Sequence, residues 1–142
     1  MKLLVINGVN LNMLGVREPG VYGNETLEVL ENKIKTWAGE IGAEVDCFQS
    51  NFEGEIVEKI HSVMGVYDGV IINPGAFTHY SYAIYDAIKS VNVPFVEVHI
   101  SNVHKREEFR HKSVTAPACE GQICGLGFEG YKFALQWFAN IK

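Results

Sequence analysis

Leu3-Leu4-Val5-Ile6 and Gly69-Val70-Ile71-Ile72 are apolar at every position. A strand with one wet face alternates apolar and polar residues. A strand without alternation is covered on both faces, as in a parallel sheet packed between helices. Amphipathic stretches separate these runs. Leu27, Leu30, Ile34, Trp37, Ala38 and Ile41 recur with a helical period behind Thr26, a good N-cap, and ahead of Gly42, a good terminator. Glu53 to Met64 and Ser81 to Val91 repeat the pattern. Gly127 to Asn140 closes the chain with a largely apolar helix.

The remaining strands read as Glu44 to Gln49, Pro94 to His99 and a weaker fifth within Val114 to Cys124. Glu107 to His111 reads as one helical turn. Strands alternating with helices, joined by right-handed crossovers, predict a three-layer α/β/α fold. Its five-stranded parallel sheet takes the flavodoxin-like order 2-1-3-4-5. The length of 142 residues suits a single domain, 1–142. In that order ligands bind beyond the carboxyl ends of strands one and three. The loops starting at Asn7, Asn73 and His99 should therefore converge on one crevice. Gly15 to Gly23 is longer than the usual connection of about two to six residues. It carries Arg17 and Tyr22 over that crevice.

Net charge is −5, and no basic stripe offers a nucleic-acid surface. No apolar run approaches the roughly 18 residues of a membrane span. Met1 to Asn7 reads as a strand rather than a signal peptide, and the three cysteines, Cys47, Cys119 and Cys124, lack metal spacing. A cytoplasmic protein with reduced, mostly buried thiols is expected.

The strand ends gather Asn7, Asn10, Asn12, Asn73, His79, Glu97, His99, Ser101 and Asn102. Amides dominate, which suits hydrogen bonding to a polyhydroxylated ligand better than metal binding. Glu97 and His99 share a face of strand four, where a carboxylate can fix one ring nitrogen and leave the other for proton transfer. Tyr22 is a poor base at its ordinary pKa of about 10. Arg17, or Arg110 approaching from beyond strand four, would lower that value. Gly125-Leu126-Gly127-Phe128-Glu129-Gly130 fits a dinucleotide fingerprint only literally. Too few residues follow for its second strand, and Glu129 would repel a pyrophosphate, so these glycines read as helix–sheet packing. A flavin carrier would want Ser, Thr and Gly after strand one. A phosphoacceptor domain would want acids where Asn7 and Asn73 stand.

Taken together, several blocks resemble type II 3-dehydroquinate dehydratase. They are Asn7 to Asn12, Arg17-Glu18-Pro19 with Tyr22-Gly23, Gln49-Ser50-Asn51, Asn73 to Ala76 with Thr78-His79, Glu97 to Asn102, and Arg106 to Arg110. The resemblance covers essentially the whole chain. Val9 departs from it, standing where the family usually has Pro, and removes no functional side chain. The Thr115 to Gly125 region is less typical, and no functional residue is carried over from it.

The resemblance implies anti elimination of water from 3-dehydroquinate, giving 3-dehydroshikimate through an enolate, in the shikimate pathway. It implies no cofactor, no metal and no Schiff base. It implies Tyr22 as base, Arg17 and Arg110 lowering its pKa, and Asn10 placing a water at the enolate oxygen. His99, oriented by Glu97, would be the acid. Asn73, Ile100 and Ser101 would hold the carboxylate, and His79 and Arg110 the ring hydroxyls. Asp86 would reach a neighbouring subunit's site, within trimers assembled into a homododecamer. Partners other than this substrate and further copies, nucleic acid and membrane included, are not expected.

Overall fold

The computed structural model describes residues 1–16 and 18–141, with the backbone alone at Pro19 and Tyr22. Five parallel strands form one sheet: β1 (Lys2–Asn7), β2 (Glu44–Gln49), β3 (Gly69–Asn73), β4 (Phe95–His99) and β5 (Gly121–Cys124). Their order is β2-β1-β3-β4-β5, as the sequence predicts. The register brings the strand ends level. Asn7 lies beside Gln49 and Asn73, Ile72 beside Glu97, and His99 beside Cys124.

The helices are α1 (Pro19–Tyr22), α2 (Leu27–Glu40), α3 (Glu53–His61), α4 (Tyr82–Lys89) and α5 (Glu129–Asn140). Successive strand residues point to opposite faces, so the unbroken apolar runs feed two cores. Leu3, Val5, Ile71, Val96 and Val98 pack with Leu30, Ile34 and Ala38 of α2 and Ala134, Leu135 and Phe138 of α5. Leu4, Ile6, Val70, Ile72 and Phe95 pack on the other face with Ile56 and Ile60 of α3 and Ile84, Ala87 and Ile88 of α4. Helices thus cover both faces of the sheet.

Local chemistry sets the element ends. The Val29 N–H donates to Thr26 Oγ1 at 3.3 Å, capping α2. Ser81 caps α4 through the Ile84 N–H at 3.0 Å. Helix α3 stops earlier than its periodicity predicts. The Ser62 hydroxyl donates to the Lys59 carbonyl at 2.6 Å and competes with the helical ladder. Val63 remains buried, but Met64, expected on the apolar face, is 50% exposed. The expected loop over Gly15 to Gly23 contains the one-turn helix α1, with Pro19 at its first position, where a missing N–H costs nothing.

At the centre of the sheet the loops after β1 and β3 interlock. The Gly8 N–H donates to the Asn73 carbonyl at 2.7 Å, and a Cβ on Gly8 would sit 2.3 Å from the Pro74 carbonyl oxygen. Gly75, at φ +65°, would carry its Cβ to 2.6 Å from the Val9 carbonyl oxygen. Neither position has room for a side chain, and both neighbours are backbone. Gly8→Ala is expected to cost about 1–3 kcal/mol by forcing these loops apart. Thermal denaturation checks this, and an unchanged melting temperature would show that the loops part freely.

Candidate active site

The carboxyl ends of the strands open into a cleft enclosing about 590 Å³ of empty space, part of it open to solvent. Its lining includes Asn10, Asn73, His79, His99, Ile100, Ser101, Arg106 and Arg110. No Asp or Glu lines it among the described residues. On a chain of net charge −5, a cleft lined by Arg106 and Arg110 favours an anion.

The floor is β4. Glu97 is wholly buried, and the His99 Nε2–H donates to its Oε2 at 2.9 Å. The shared face expected from their spacing is thus present, with Nδ1 as the remaining nitrogen. Glu97 Oε2 also accepts from Gln122 Nε2 at 2.7 Å, Ser113 Oγ at 2.9 Å and Thr78 Oγ1 at 3.1 Å, while Oε1 accepts from the Thr115 hydroxyl. Burial alone would raise the pKa of Glu97. The hydrogen bonds and charge of His99, with those of Thr115 and Gln122, outweigh it and hold the carboxyl below its ordinary value. Everything around this carboxylate donates, so it stays ionised.

The first loop is pinned from β2. Asn10 adopts the left-handed conformation at φ 69°, which Asn tolerates better than most residues. Its N–H donates to Asn51 Oδ1 at 2.8 Å, and Gln49 Nε2 donates to the same oxygen at 3.1 Å and to the Gly8 carbonyl at 3.2 Å. Asn73 is buried, with its amide engaged inward. Gly75 N–H donates to its Oδ1 at 3.1 Å, and its Nδ2 donates to Tyr131 Oη at 2.9 Å. The Tyr131 hydroxyl in turn donates to Asn7 Oδ1 at 2.7 Å.

The chain after β4 is braced by the glycines before α5. Gly125 N–H donates to the His99 carbonyl at 3.1 Å and Gly127 N–H to the Ile100 carbonyl at 3.0 Å. The Ile100 carbonyl and the Ser101 N–H share one planar peptide, so fixing the first outward turns the second the opposite way. Gly130 packs on the sheet as expected. A Cβ there would meet Val98 Cγ1 at 3.2 Å.

His79 donates from Nδ1 to the Lys112 carbonyl at 2.8 Å, and burial holds its pKa below the usual value, so it is neutral near pH 7. Arg110 bonds Glu107 at 3.1 Å and lies over the Phe109 ring at 4.7 Å. Asp86 stands exposed on α4 and does not line the cleft of its own chain. Arg17 and the side chain of Tyr22 lie outside the described residues. Their loop nevertheless contributes Glu18, which accepts from Arg106 Nη2 at 3.3 Å while Arg106 Nη1 donates to Ser101 Oγ at 3.3 Å.

Arg106, Tyr131, Thr78, Ser113, Thr115 and Gln122 carry no role in the sequence reading. Thr78 and Arg106 stand inside the blocks that carry the resemblance, and Gln122 pairs with Glu97 once strand five is in register. The three cysteines are free and half-buried rather than mostly buried. Burial pushes the Cys47 thiol up to about 12 and Cys124 to about 11, and raises Cys119 as well, so all three are unreactive thiols at neutral pH. Among the described residues no cluster of His, Cys, Asp and Glu could hold a metal, and no helix is long and apolar enough to cross a membrane.

A 2-1-3-4-5 sheet with a buried Glu–His pair under a cleft carrying two arginines at its switch point defines a flavodoxin-like α/β protein whose cleft suits a small anion. The chain belongs to the class II dehydroquinase family, whose model matches residues 1–139. It is 60% identical to the 3-dehydroquinate dehydratase of Bacillus cytotoxicus over 134 residues, 94% of this chain and 92% of that one. The structure of a type II dehydroquinase from Butyrivibrio crossotus superposes with a TM-score of 0.95 at 55% identity, covering 97% of each chain. That from Propionibacterium acnes does so at 0.95 and 42%, covering 98% of this chain and 96% of that one.

The cage makes a prediction. Glu97→Gln sets an NH2 group among donors, which should cost about 1–3 kcal/mol and lower the melting temperature. Because folding holds Glu97 below its ordinary pKa, the wild-type advantage is present above the unfolded value and lost as pH falls through the folded one. Melting curves of both proteins from neutral to acid pH should therefore converge. A pH-independent gap would show that the charge is immaterial.

Proposed function

We propose that this member of the family is a hydro-lyase that dehydrates 3-dehydroquinate to 3-dehydroshikimate by anti elimination through an enolate. The observation that carries the reading is the buried Glu97–His99 pair, at 2.9 Å, under a cleft without a carboxylate lining among the described residues. An elimination beside a ketone needs a base, an acid and a stabiliser for the enolate oxygen. Tyr22, as tyrosinate, takes the proton from C2, with Arg17 and Arg110 favouring the anion. Asn10 holds a water at the enolate oxygen. His99 gives its Nδ1 proton to the C1 hydroxyl, which leaves as water, and Glu97 stabilises the imidazolium and keeps the ring in place.

The substrate carboxylate sits against Asn73 and the Ile100–Ser101 peptide, with the Ser101 hydroxyl beside it. The ring hydroxyls meet His79 and Arg110. The Gly127 bond to Ile100 supports this reading, since it turns the Ser101 N–H away from α5. Asp86, exposed and outside its own cleft, fits a role in a neighbouring subunit's site. Trimers assembled into a dodecamer, in the cytoplasm and in the shikimate pathway, complete the proposal.

Purified protein mixed with 3-dehydroquinate should generate an ultraviolet-absorbing conjugated enone. No rise in absorbance at micromolar enzyme would refute the assignment. Tyr22→Phe and Arg17→Ala should each lower kcat by at least about a hundredfold, the scale of general-base catalysis, while leaving the circular dichroism spectrum unchanged. Near-wild-type turnover in either variant would remove that residue from the mechanism.

A further inference from the structure

Asn73 can present either an N–H or a carbonyl oxygen to the cleft, since its amide turns over with no change of shape. Hydrogen bonding decides which. The Gly75 N–H lies 3.1 Å from Oδ1. Turned over, the amide would set an NH2 against that N–H. With this end fixed, Nδ2 faces Tyr131 Oη at 2.9 Å, so the phenol accepts and must send its own proton elsewhere. It goes to Asn7 Oδ1 at 2.7 Å. The chain from Gly75 to Asn7 therefore has one direction.

Its far end is costly. Asn7 is wholly buried, and among the described residues its Nδ2 has no hydrogen-bond partner. Buried polar atoms are nearly always paired, and an unpaired one is destabilising. Tyr131 is also wholly buried, on the face of α5 that otherwise supplies Ala134, Leu135 and Phe138 to the core. A Phe would fill the same space without needing partners. That Phe would, however, leave Asn7 Oδ1 and one Nδ2 hydrogen of Asn73 unpaired, so the hydroxyl is tied to both amides.

We propose that Tyr131 is a positioning residue for substrate binding. Its hydroxyl occupies one hydrogen of the Asn73 amide, joins the Gly75 N–H in holding that amide as a donor, and leaves the second Nδ2 hydrogen for the substrate carboxylate. This rests on the reading that Asn73 binds that carboxylate. Without the hydroxyl, the Gly75 N–H alone holds the amide, which then turns more readily and presents an oxygen that repels the anion. Binding then suffers, while the acid and base stay untouched.

Steady-state kinetics of Tyr131→Phe, Asn73→Ala and the double variant test this, alongside melting temperatures. Tyr131→Phe should raise KM by about tenfold with kcat within about twofold, the pattern of lost ground-state binding. Asn73→Ala should raise KM at least as much, and the double variant no further, because both changes remove one contact. If Asn73→Ala raises KM and Tyr131→Phe does not, Tyr131 is only a core residue and the proposal is overturned. If Asn73→Ala leaves KM unchanged, Asn73 does not bind the carboxylate, and the proposal falls with that reading. Asn7→Leu provides a second route should Tyr131→Phe fold poorly. Removing the acceptor for the phenol proton should raise KM in the same sense, and an unchanged KM would again count against the chain.

Discussion

A carboxylate without solvent, surrounded only by donors, governs the architecture of this molecule. Glu97 draws Thr78 from the segment after β3, Gln122 from β5, Ser113 and Thr115 from the segment between β4 and β5, and His99 from its own strand. A buried charge is tolerated only when its hydrogen-bonding capacity is met. The segments that meet it are held together by that demand. The same arrangement fixes the imidazole, so fold stability and the orientation of His99 have one physical origin.

Around this centre the cleft is assembled from backbone rather than from long side chains. Gly8 and Gly75 let the β1 and β3 loops touch, Asn51 holds the Asn10 turn, and Gly125 and Gly127 hold the chain leaving β4. Side chains add the charge. Arg106 joins the loop carrying Glu18 to Ser101 at the strand end. The proposed base loop and the proposed carboxylate end are thereby mechanically connected through one guanidinium.

Much of this is legible in the sequence because it depends on period and position. Unbroken apolar runs specify the two-sided sheet, strand alternation places Glu97 and His99 together, and strand order identifies the crevice. What is not legible depends on long-range convergence. Tyr131 looks like one more apolar residue of α5, and nothing local shows its hydroxyl meeting Asn7 and Asn73. Ser113 and Thr115 lie in an irregular segment with no period to read, so their approach to Glu97 exists only in three dimensions. Met64 fails for a local reason, because the Ser62 hydroxyl ends α3 before the apolar stripe does.

Strand β5 is the shortest in the sheet, lies at its edge, and is exposed along its first half, including Gln122. Edge strands with few buried contacts open locally at a small fraction of the free energy of global unfolding. Such an excursion would withdraw Gln122 from Glu97 while the other four strands remain paired. The orientation of His99 is thus coupled to the least protected ladder of the sheet. Amide exchange at Ile123 and Cys124 would report how often the imidazole loses its restraint, on a clock separate from that of unfolding.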